Sequence, residues 1–309
     1  MTGGTGLVGR AMVRELVSKG YQVIILTRTL GKQLASEHTS YAKWDIDKQE
    51  IDIQAVQLAD FIIHLAGAGV MEKKWTNAYK KEIRESRTRS SKLLIDTLKN
   101  HSHAVKAVIS ASAIGWYGAD PIPKSGVIQE GFTEDTIADE GFLGETCRLW
   151  EESMEPVRAL GIRLVRFRIG IVLSKDGGAL AEFRRPLKLG IAGILGNGKQ
   201  MISWIHITDL CRLFIYAIEN DAVTGTFNAV APVPVDNKTM TLKLAGALRG
   251  KFFIAVHVPL FLIKLLLGQR SIEVLKSTRV SCAKIRKEGF IFIHPSIDAV
   301  MANLFHPYI

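Results

Sequence analysis

A chain of 309 residues is long enough for one large domain, or for a main domain with a smaller second lobe. Its 47% apolar and 23% charged residues are typical of a globular protein and exclude general disorder. The three cysteines match no spacing typical of a zinc site or a disulfide framework, which favours a reducing compartment. No secretory signal is evident, so we expect a cytoplasmic protein.

The formal net charge of +10 raises the question of nucleic-acid binding. Basic residues concentrate between Lys73 and Lys92, but Glu72, Glu82 and Glu85 interrupt them. No aromatic stacking platform or zinc finger accompanies the basic residues. The pattern therefore predicts a solvated helix face, and we expect no nucleic-acid partner.

The most apolar run extends from Phe252 to Leu267 and contains His257, Pro259 and Lys264. A helix that spans a bilayer needs about 20 apolar residues, so this run is too short and too interrupted. We expect it to form a buried helix, and we expect no membrane partner.

Strands and helices alternate along the first half of the chain. The spacing of apolar residues predicts a first helix over 6–19, which Gly20 ends as a C-cap. Further helices are predicted at about 76–99 and 144–160. The predicted strands, rich in β-branched residues, are Tyr21–Leu26, Tyr41–Ile46, Phe61–Ala66, Val105–Ala111 and Arg163–Ile169.

This alternation is typical of an α/β protein with a Rossmann-type, doubly wound parallel sheet. Beyond about residue 170 the elements become shorter and glycine-rich turns appear. We therefore predict a dinucleotide-binding domain at 1–170 and a smaller substrate-side lobe at 171–309, some segments of which return to the first domain.

A glycine-rich turn opens the chain: Gly3, Gly6 and Gly9 match G-x-x-G-x-x-G and lead into the first helix. Glycine is required where the backbone turns tightly, approaches a pyrophosphate and packs against a strand. The helix N-terminus adds free N–H groups and a partial positive charge. The pattern predicts a dinucleotide site, with Thr5, Leu7 and Val8 completing the turn.

The residue after the second strand selects the dinucleotide. An acidic residue there binds the ribose 2′-hydroxyl of NAD, whereas an arginine accommodates the 2′-phosphate of NADP. This chain has Thr27, Arg28 and Thr29 at that point and no carboxylate. We predict NADP(H) as the cofactor, the alternative being that Arg28 is an ordinary surface arginine.

Only Met1 and Thr2 precede the glycine turn, whereas this fold normally places a first strand of about four to six residues there. That strand would lie between the strands at 21–26 and 61–66. We expect either that the natural protein starts several residues upstream or that another segment fills the slot.

Several motifs resemble the extended short-chain dehydrogenase/reductase superfamily, and more specific runs resemble its atypical "epimerase family" branch. The motifs that carry the resemblance are His64-Leu65-Ala66-Gly67, Trp75-Thr76, Ser86-Arg87, the run ISASAIGWYG that ends at Gly118, Phe142-Leu143, Trp150-Glu151, Gly177-Gly178-Ala179-Leu180, Ser203-Trp204-Ile205-His206 and Asn228-Ala229-Val230-Ala231-Pro232. The similarity covers nearly the whole chain.

The resemblance implies a set of cofactor contacts. Besides the glycine turn, it points to the ends of four strands and to the helix after the fourth strand. The implied residues are Gly3, Gly6, Gly9, Thr27, Arg28, Asp45, Leu65, Ala66, Glu82, Arg87, Gly170 and Val172. For Asp45 the alternative is an ordinary aspartate in a solvent-facing turn.

Arg87 has a second argument. It falls on one stripe with Ile83, Ser90, Leu94 and Leu98. An arginine within a buried stripe is costly unless it is paired, and a cofactor phosphate or substrate anion would pair it. The alternative is an internal salt bridge to a carboxylate.

The acid/base residues of the superfamily are missing. Its members use a Tyr-x-x-x-Lys helix, but the alignment places Leu143 and Cys147, or in another register Phe142 and Thr146, at those positions. The catalytic serine aligns with Ala113, one residue after Ser112. Ser112 and Tyr117 are the candidate catalytic residues, with Glu145 and Cys147 as further substitutes.

Two functions remain open. The first is an NADP(H)-dependent oxidoreductase or epimerase that acts on a small carbonyl or sugar-nucleotide-like substrate with non-standard acid/base groups. The second is a catalytically silent NADP(H)-binding protein that regulates a partner. Polar residues lining a pocket in the second lobe, at Trp204, His206 and Asp209, would favour the enzyme. We expect a small-molecule substrate, no bound metal, and allow for a homodimer.

Overall fold

The computed structural model describes residues 1–31, 36–121 and 131–305. Its strands are β1 Val23–Thr27, β2 Thr39–Asp45, β3 Glu50–Ile51, β4 Phe61–His64, β5 Ala107–Ala113, β6 Arg163–Ile169, β7 Ile171–Ser174, β8 Gly177–Gly178, β9 Ile191–Leu195, β10 Met201–Ile202, β11 Trp204–His206, β12 Gly225–Ala229, β13 Val235–Asp236 and β14 Ile254–Val258. Its α-helices are α1 Leu7–Ser18, α2 Ile53–Gln57, α3 Asn77–Asn100, α4 Phe142–Met154, α5 Pro156–Ala159, α6 Ala179–Leu187, α7 Ile207–Glu219, α8 Asn237–Arg249, α9 Leu260–Leu267, α10 Ser271–Leu275, α11 Ala283–Lys287 and α12 Ile297–Phe305.

The central sheet is parallel. β2 pairs with β1, and β4, β5, β6 and β12 pair side by side in that order. Between β1 and β4 lies the segment Met1–Thr2: Leu26 N donates to Met1 O at 2.8 Å, and Thr2 N donates to Ile63 O at 3.0 Å. The predicted slot between these two strands is confirmed, and the first two residues occupy it.

Helices cover both faces of the sheet, as the doubly wound prediction requires. On one face α1 and α7 bury Met12, Leu16 and Phe214 against the sheet, with Phe167 of β6 fully buried. On the other face α3 and α5 form a second apolar core that includes Leu94 and Val157. The fold class predicted from the sequence is therefore confirmed.

The second half of the chain forms a smaller core around Leu173, Trp204, Met240 and Val300, which α6, α8 and α12 contribute to. One strand of this half returns to the central sheet, because β12 pairs with β6 in parallel. The boundary at residue 170 stays a prediction.

The apolar run from Phe252 to Leu267 does not form a buried helix, and that prediction was wrong. It forms strand β14 and then helix α9, for which Pro259 is the N-cap. Most of its large side chains face solvent, and Phe252 is 85% exposed. Apolar composition indicated burial, but Ile263 is the one residue of this run that is buried.

Candidate functional site

The glycine turn forms a cradle that only glycine can line. A Cβ atom at Gly9 would lie 2.1 Å from the main-chain oxygen of Gly3. A Cβ atom at Gly3, where φ is +67°, would lie 2.8 Å from the carbonyl group of Leu65. Both contacts are too short for a real Cβ atom, so the chain needs glycine at both positions. The two glycines therefore fix the path of the turn, and the exposed positions of the turn are Thr5 and Gly6.

The first helix begins at the cradle without a side-chain cap. Gly6 is the N-cap of α1 and has no side chain that could accept from the N–H groups of the first turn. No acidic residue lies in that turn. A glycine cradle that leads into an uncapped helix end fits a dinucleotide pyrophosphate, because the N–H groups and the helix dipole favour an anion there.

Thr2 joins the cradle to the end of β4. Its hydroxyl oxygen accepts from Leu65 N and Ala66 N, each at 3.1 Å, and contacts Nδ1 of His64 at 2.9 Å. Burial lowers the pKa of His64 to about 4, so the ring is neutral. Thr2 thereby holds the predicted contacts Leu65 and Ala66 beside Gly3. Thr2 was not singled out from the sequence as a residue of the site, although its position directly before the glycine turn was a signal that could have found it.

Thr27 and Arg28 lie at the carboxyl end of β1. Thr27 ends the strand and is half-buried, whereas Arg28 is exposed. Within the described residues no carboxylate pairs with Arg28. A cleft of about 330 Å³ opens beside the glycine turn, and Thr5, Arg10 and Arg14 are among its lining residues. This side of the turn is therefore rich in arginine.

Asp45 and Glu82 have other partners in the structure. The carboxylate of Asp45 accepts from the main-chain nitrogens of Asp47 and Lys48, and these hydrogen bonds, chiefly that from Lys48, lower its pKa. Glu82 pairs with Lys73 at 3.1 Å and is half exposed. Neither side chain contacts the glycine turn, and their role at the cofactor stays a prediction.

Arg87 lies against Gly67, three residues after β4. Its Nη1 donates to the main-chain oxygens of Ala68 at 3.0 Å and Ile83 at 2.8 Å, and its Cζ lies 4.8 Å from the Trp150 ring centroid. Burial lowers the pKa of Arg87. No carboxylate lies within ion-pair distance among the described residues, so the alternative of an internal salt bridge is not found there. Part of the guanidinium is left to bind an external anion.

The Gly170–Val172 segment leads into a hairpin that borders the same turn. Gly170 follows β6, and a Cβ atom there would lie 2.7 Å from the main-chain oxygen of Ser203. Val172 lies on β7, whose hairpin with β8 ends at Gly178. A Cβ atom at Gly178 would lie 2.9 Å from Cδ2 of Leu7 in the first turn of α1. The hairpin therefore closes one side of the cradle.

Ser112 and Tyr117 belong to a buried polar network. Ser112 donates to Glu151 Oε1 at 2.7 Å, and Glu151 pairs with Arg168. The Tyr117 hydroxyl donates to Oδ1 of Asn228 at 2.7 Å and accepts from Arg168 Nη1 at 3.0 Å. Burial raises the pKa of Tyr117 to about 12, and the side chain is fully buried. These contacts argue against either residue as the group that exchanges a proton with a substrate.

The helix that carries Tyr and Lys in the superfamily offers no replacement here. Leu143 and Cys147 face Gly115, and burial raises the pKa of Cys147 to about 12, so its thiol is inert. Glu145, two residues after Leu143, projects from another side of α4 and pairs with Arg84 at 3.1 Å.

A lysine does reach the segment after β5. Lys276 Nζ donates to the main-chain oxygen of Tyr117 at 3.0 Å, not to its hydroxyl, and pairs with Glu273 at 2.7 Å. The Lys276 side chain is 12% exposed. Sequence reasoning had no signal for this residue, because it comes from a distant part of the chain.

Trp204, His206 and Asp209 do not line a pocket. All three are at most 1% exposed, and the His206 and His294 rings stack with centroids 3.9 Å apart. They are buried in the protein interior, so they do not favour the enzyme over the silent protein. A cleft of about 600 Å³ lies elsewhere, in the second lobe between β9 and α9.

No cluster of metal-ligating side chains occurs in the residues that the structure describes. No helix within those residues is both long and apolar enough to cross a membrane.

Comparison with known proteins confirms the resemblance seen in the sequence. The model of the NAD dependent epimerase/dehydratase family matches residues 1–229, and a domain of unknown function (DUF1731) matches residues 258–304. An epimerase family protein from Staphylococcus saprophyticus is 33% identical, over 99% of this chain and 98% of its own.

Two solved structures are similar over nearly the whole chain. The human epimerase family protein SDR39U1, solved with NADPH, has a TM-score of 0.83 at 25% identity and covers 99% of this chain and 98% of its own. The nucleoside-diphosphate sugar epimerase from Corynebacterium glutamicum has a TM-score of 0.75 at 31% identity, over 98% of this chain and 57% of its own. The parallel sheet and the glycine cradle agree with these matches. The chain belongs to the NAD-dependent epimerase/dehydratase family and has its NAD(P)-binding fold.

Proposed function

We propose that this chain binds NADP(H) and catalyses a redox or epimerisation step on a small carbonyl or sugar-nucleotide-like substrate. The observation that carries the proposal is an exposed Arg28 that pairs with no carboxylate in the described chain. It lies at the carboxyl end of β1, the strand against which Gly4 of the glycine turn packs. An acidic residue at this position would favour NAD, whereas an arginine favours the 2′-phosphate of NADP. The NADPH in the human relative supports the same choice.

The residues that would hold the cofactor lie on several elements. Gly3, Gly6 and Gly9 offer the cradle to the pyrophosphate, and Arg28 offers a charge-assisted hydrogen bond to the 2′-phosphate. Arg87 has donors left for an anion or a ribose hydroxyl near Gly67. Bound NADP(H) supplies or accepts the hydride of the reaction.

We assign the proton transfer of the reaction to Lys276. Two bonds hold its ammonium group, one to the Tyr117 carbonyl and one to Glu273. Tyr117 follows the short 3₁₀ turn Ile114–Trp116 at the carboxyl end of β5, the edge of a doubly wound sheet at which ligands bind. A lysine ammonium can donate a proton to a substrate oxygen, whereas the Tyr117 hydroxyl is fully buried and hydrogen-bonded to Asn228 and Arg168.

Two assays on the purified chain test the proposal. Loss of NADPH absorbance measures reduction of methylglyoxal and benzaldehyde, and chromatography measures conversion of UDP-glucose to its epimer in the presence of NADP⁺. We expect turnover in at least one assay. Tight NADPH binding with no turnover in any of them would contradict the enzymatic proposal and favour the silent NADP(H)-binding protein.

A matched pair of variants tests Lys276. Lys276→Arg keeps a cation beside Glu273 but cannot release its proton near neutral pH, so we expect kcat to fall by about 10²–10⁴-fold with the NADPH Kd unchanged. The control is Lys81→Arg, which changes an exposed lysine paired with Glu85. Activity of Lys276→Arg equal to that of the control would overturn the assignment.

A further inference from the structure

The cleft of about 600 Å³ between β9 and α9 has aliphatic walls from four elements. Leu195 ends β9, Val258 ends β14 and Leu260 begins α9. Leu275, the last residue of α10, lines the cleft as well. Sites for small molecules have volumes of about 300–1,000 Å³ and are lined mainly by apolar side chains. The cleft therefore has the size and the lining of a ligand site.

The cleft lies beside Lys276, to which we assign the proton transfer. Leu275, on its wall, directly precedes Lys276. The chain after Lys276 runs along Met201, whose main-chain nitrogen donates to Ser277 Oγ at 2.9 Å. Gln200, the residue before Met201, also lines the cleft. The cleft and Lys276 therefore belong to the same region of the protein.

Lys264 gives the cleft a positive charge. Among the residues that the structure describes, no carboxylate lines the cleft and none pairs with Lys264. Asn197 adds a donor, because its Oδ1 accepts from Lys199 N at 3.0 Å and its amide nitrogen has no partner in the described chain. His257 is engaged through Nδ1, which donates to the main-chain oxygen of Gly196 at 2.8 Å. Lys264 and Asn197 thus suit one anionic group.

This lining distinguishes between two classes of ligand. A nucleoside diphosphate carries at least two negative charges, whereas the cleft offers one lysine, and unpaired charge against aliphatic walls is costly. No Phe, Tyr or Trp side chain of the described chain lines the cleft, so a nucleotide base has none to stack on. An aliphatic chain with a single carboxylate matches both features, because the walls bury the chain and Lys264 pairs with the carboxylate.

We propose that this cleft binds an aliphatic chain that carries one carboxylate. Together with the proposed function, on which this second step rests, the ligand is the substrate, and the substrate is an oxo acid. Reduction of its carbonyl group takes a hydride from NADPH and a proton from Lys276, and yields the hydroxy acid and NADP⁺. The inference narrows the two proposed substrate classes to the carbonyl compounds.

Calorimetric titration of the full chain with alkyl carboxylates tests the cleft independently of turnover. We expect decanoate to bind about tenfold more tightly than octanoate, because each buried CH₂ group contributes about 0.8 kcal/mol. Lys264→Gln should weaken decanoate binding by about fivefold and leave octanol binding unchanged, because only the carboxylate pairs with the lysine. The control is Lys251→Gln, at an exposed position outside the cleft, which should change neither.

A second pair of variants tests the aliphatic wall. Leu260→Glu places a carboxylate on the wall, so decanoate should bind at least tenfold more weakly. Leu265→Glu, on the same helix but outside the cleft and 76% exposed, should bind decanoate as the wild type does. No decanoate binding by the wild type, or equal binding by each variant and its control, would overturn the proposal. Binding of UDP-glucose that Lys264→Gln weakens would assign the cleft to a nucleotide and also overturn it.

A turnover assay separates this inference from the proposed function. We expect NADPH-dependent reduction of 10-oxodecanoate with a kcat/KM at least tenfold above that for methylglyoxal, which would support both. Conversion of UDP-glucose by a chain that does not bind decanoate would overturn the inference and leave the proposed function standing. Decanoate binding that depends on Lys264 and Leu260, in a chain that turns over none of these substrates, would support the ligand class of the cleft and contradict the proposed function alone.

Discussion

Glu151 and Arg168 form an ion pair that is almost removed from solvent. The two side chains are 5 and 4% exposed, and Arg168 Nε lies 2.8 Å from Glu151 Oε1. Arg168 also stacks on Trp116, 3.6 Å from the ring centroid. The pair therefore ties β6 and α4 to the segment after β5.

Breaking this pair should be costly. Glu151→Gln leaves the guanidinium of Arg168 without its counter-charge, so we expect the free energy of unfolding to fall by about 3–5 kcal/mol. The adjacent Glu152 pairs with Arg148 in an exposed ion pair, and Glu152→Gln should cost less than about 1 kcal/mol. Urea unfolding of both variants makes the comparison. Equal losses would mean that burial does not govern the strength of the pair.

Tyr117→Phe separates a structural from a catalytic role. The change removes the hydrogen bonds to Asn228 and Arg168, and should reduce the free energy of unfolding by about 1–3 kcal/mol. Because burial raises the pKa of Tyr117 to about 12, we expect turnover and NADPH affinity to be retained. A variant of wild-type stability that has lost turnover would instead restore Tyr117 as a catalytic residue.

Alanine should have opposite effects at Gly9, in the glycine cradle, and at Gly246, in α8. In Gly9→Ala the new Cβ atom meets the Gly3 carbonyl oxygen at 2.1 Å, so the turn must move; the midpoint of thermal unfolding should fall and NADPH binding be lost. Gly246 lies inside α8 with no atom within 4 Å of a new Cβ atom. Gly246→Ala should therefore stabilise the protein by about 1 kcal/mol. Unaltered NADPH binding in Gly9→Ala would contradict the cradle.

Two buried histidines should make the folded protein less stable in acid. Burial lowers the pKa of His64 and of His206 to about 4, whereas both titrate near 6.5 in the unfolded chain. Below pH 6.5 the unfolded state takes up protons that the folded state does not bind. Each histidine should therefore lower the free energy of unfolding by about 3 kcal/mol as the pH falls from about 7 to 4. Above pH 7 neither histidine should lower it.

His206→Asn tests this prediction without removing a helix cap. The His206 ring accepts from Thr208 N at the start of α7, and asparagine can accept the same bond. Urea unfolding between pH 7 and 4 should show a shallower loss of stability in the variant, and His101→Asn, at an exposed position, should match the wild type. An unchanged slope in His206→Asn would show that this residue is protonated in the folded state.

The order of strands and helices could be predicted from the sequence, because β-branched runs and helical periodicity are local signals. The predicted strand at Arg163–Ile169 has the observed bounds. The run from Phe252 was misjudged because burial depends on what covers a segment. The alternation of Ile254, Val256 and Val258 is the local signal of a strand that the apolar composition hid.

The candidate site was predictable only where a motif fixes the backbone. The glycine turn and Arg28 are such positions. The side-chain orientations of Ser112 and Tyr117 depend on strand pairing. They also depend on hydrogen bonds with Glu151 and Arg168, which come from distant parts of the chain. The sequence did carry one overlooked signal. β6 contains three arginines, and Arg168 lies between Phe167 and Ile169, where a buried arginine requires a partner.

The central claim is that the cradle and Arg28 select NADP(H). Contacts of Arg28 should distinguish the two nucleotides, whereas contacts of Arg87 should serve both. We therefore expect Arg28→Ala to weaken NADPH binding alone, and Arg87→Met to weaken NADPH and NADH together. Arg148→Ala, at an exposed position on α4, is the control that should change neither affinity.

The most direct test is a titration of the wild type and Arg28→Ala with NADPH and NADH, followed by the fluorescence of the nicotinamide. A charge-assisted contact to the 2′-phosphate contributes about 1.5–3 kcal/mol, so NADPH should bind the wild type at least tenfold more tightly than NADH. Arg28→Ala should abolish that difference while its affinity for NADH stays the same. Equal affinities of the wild type for the two nucleotides would contradict the account.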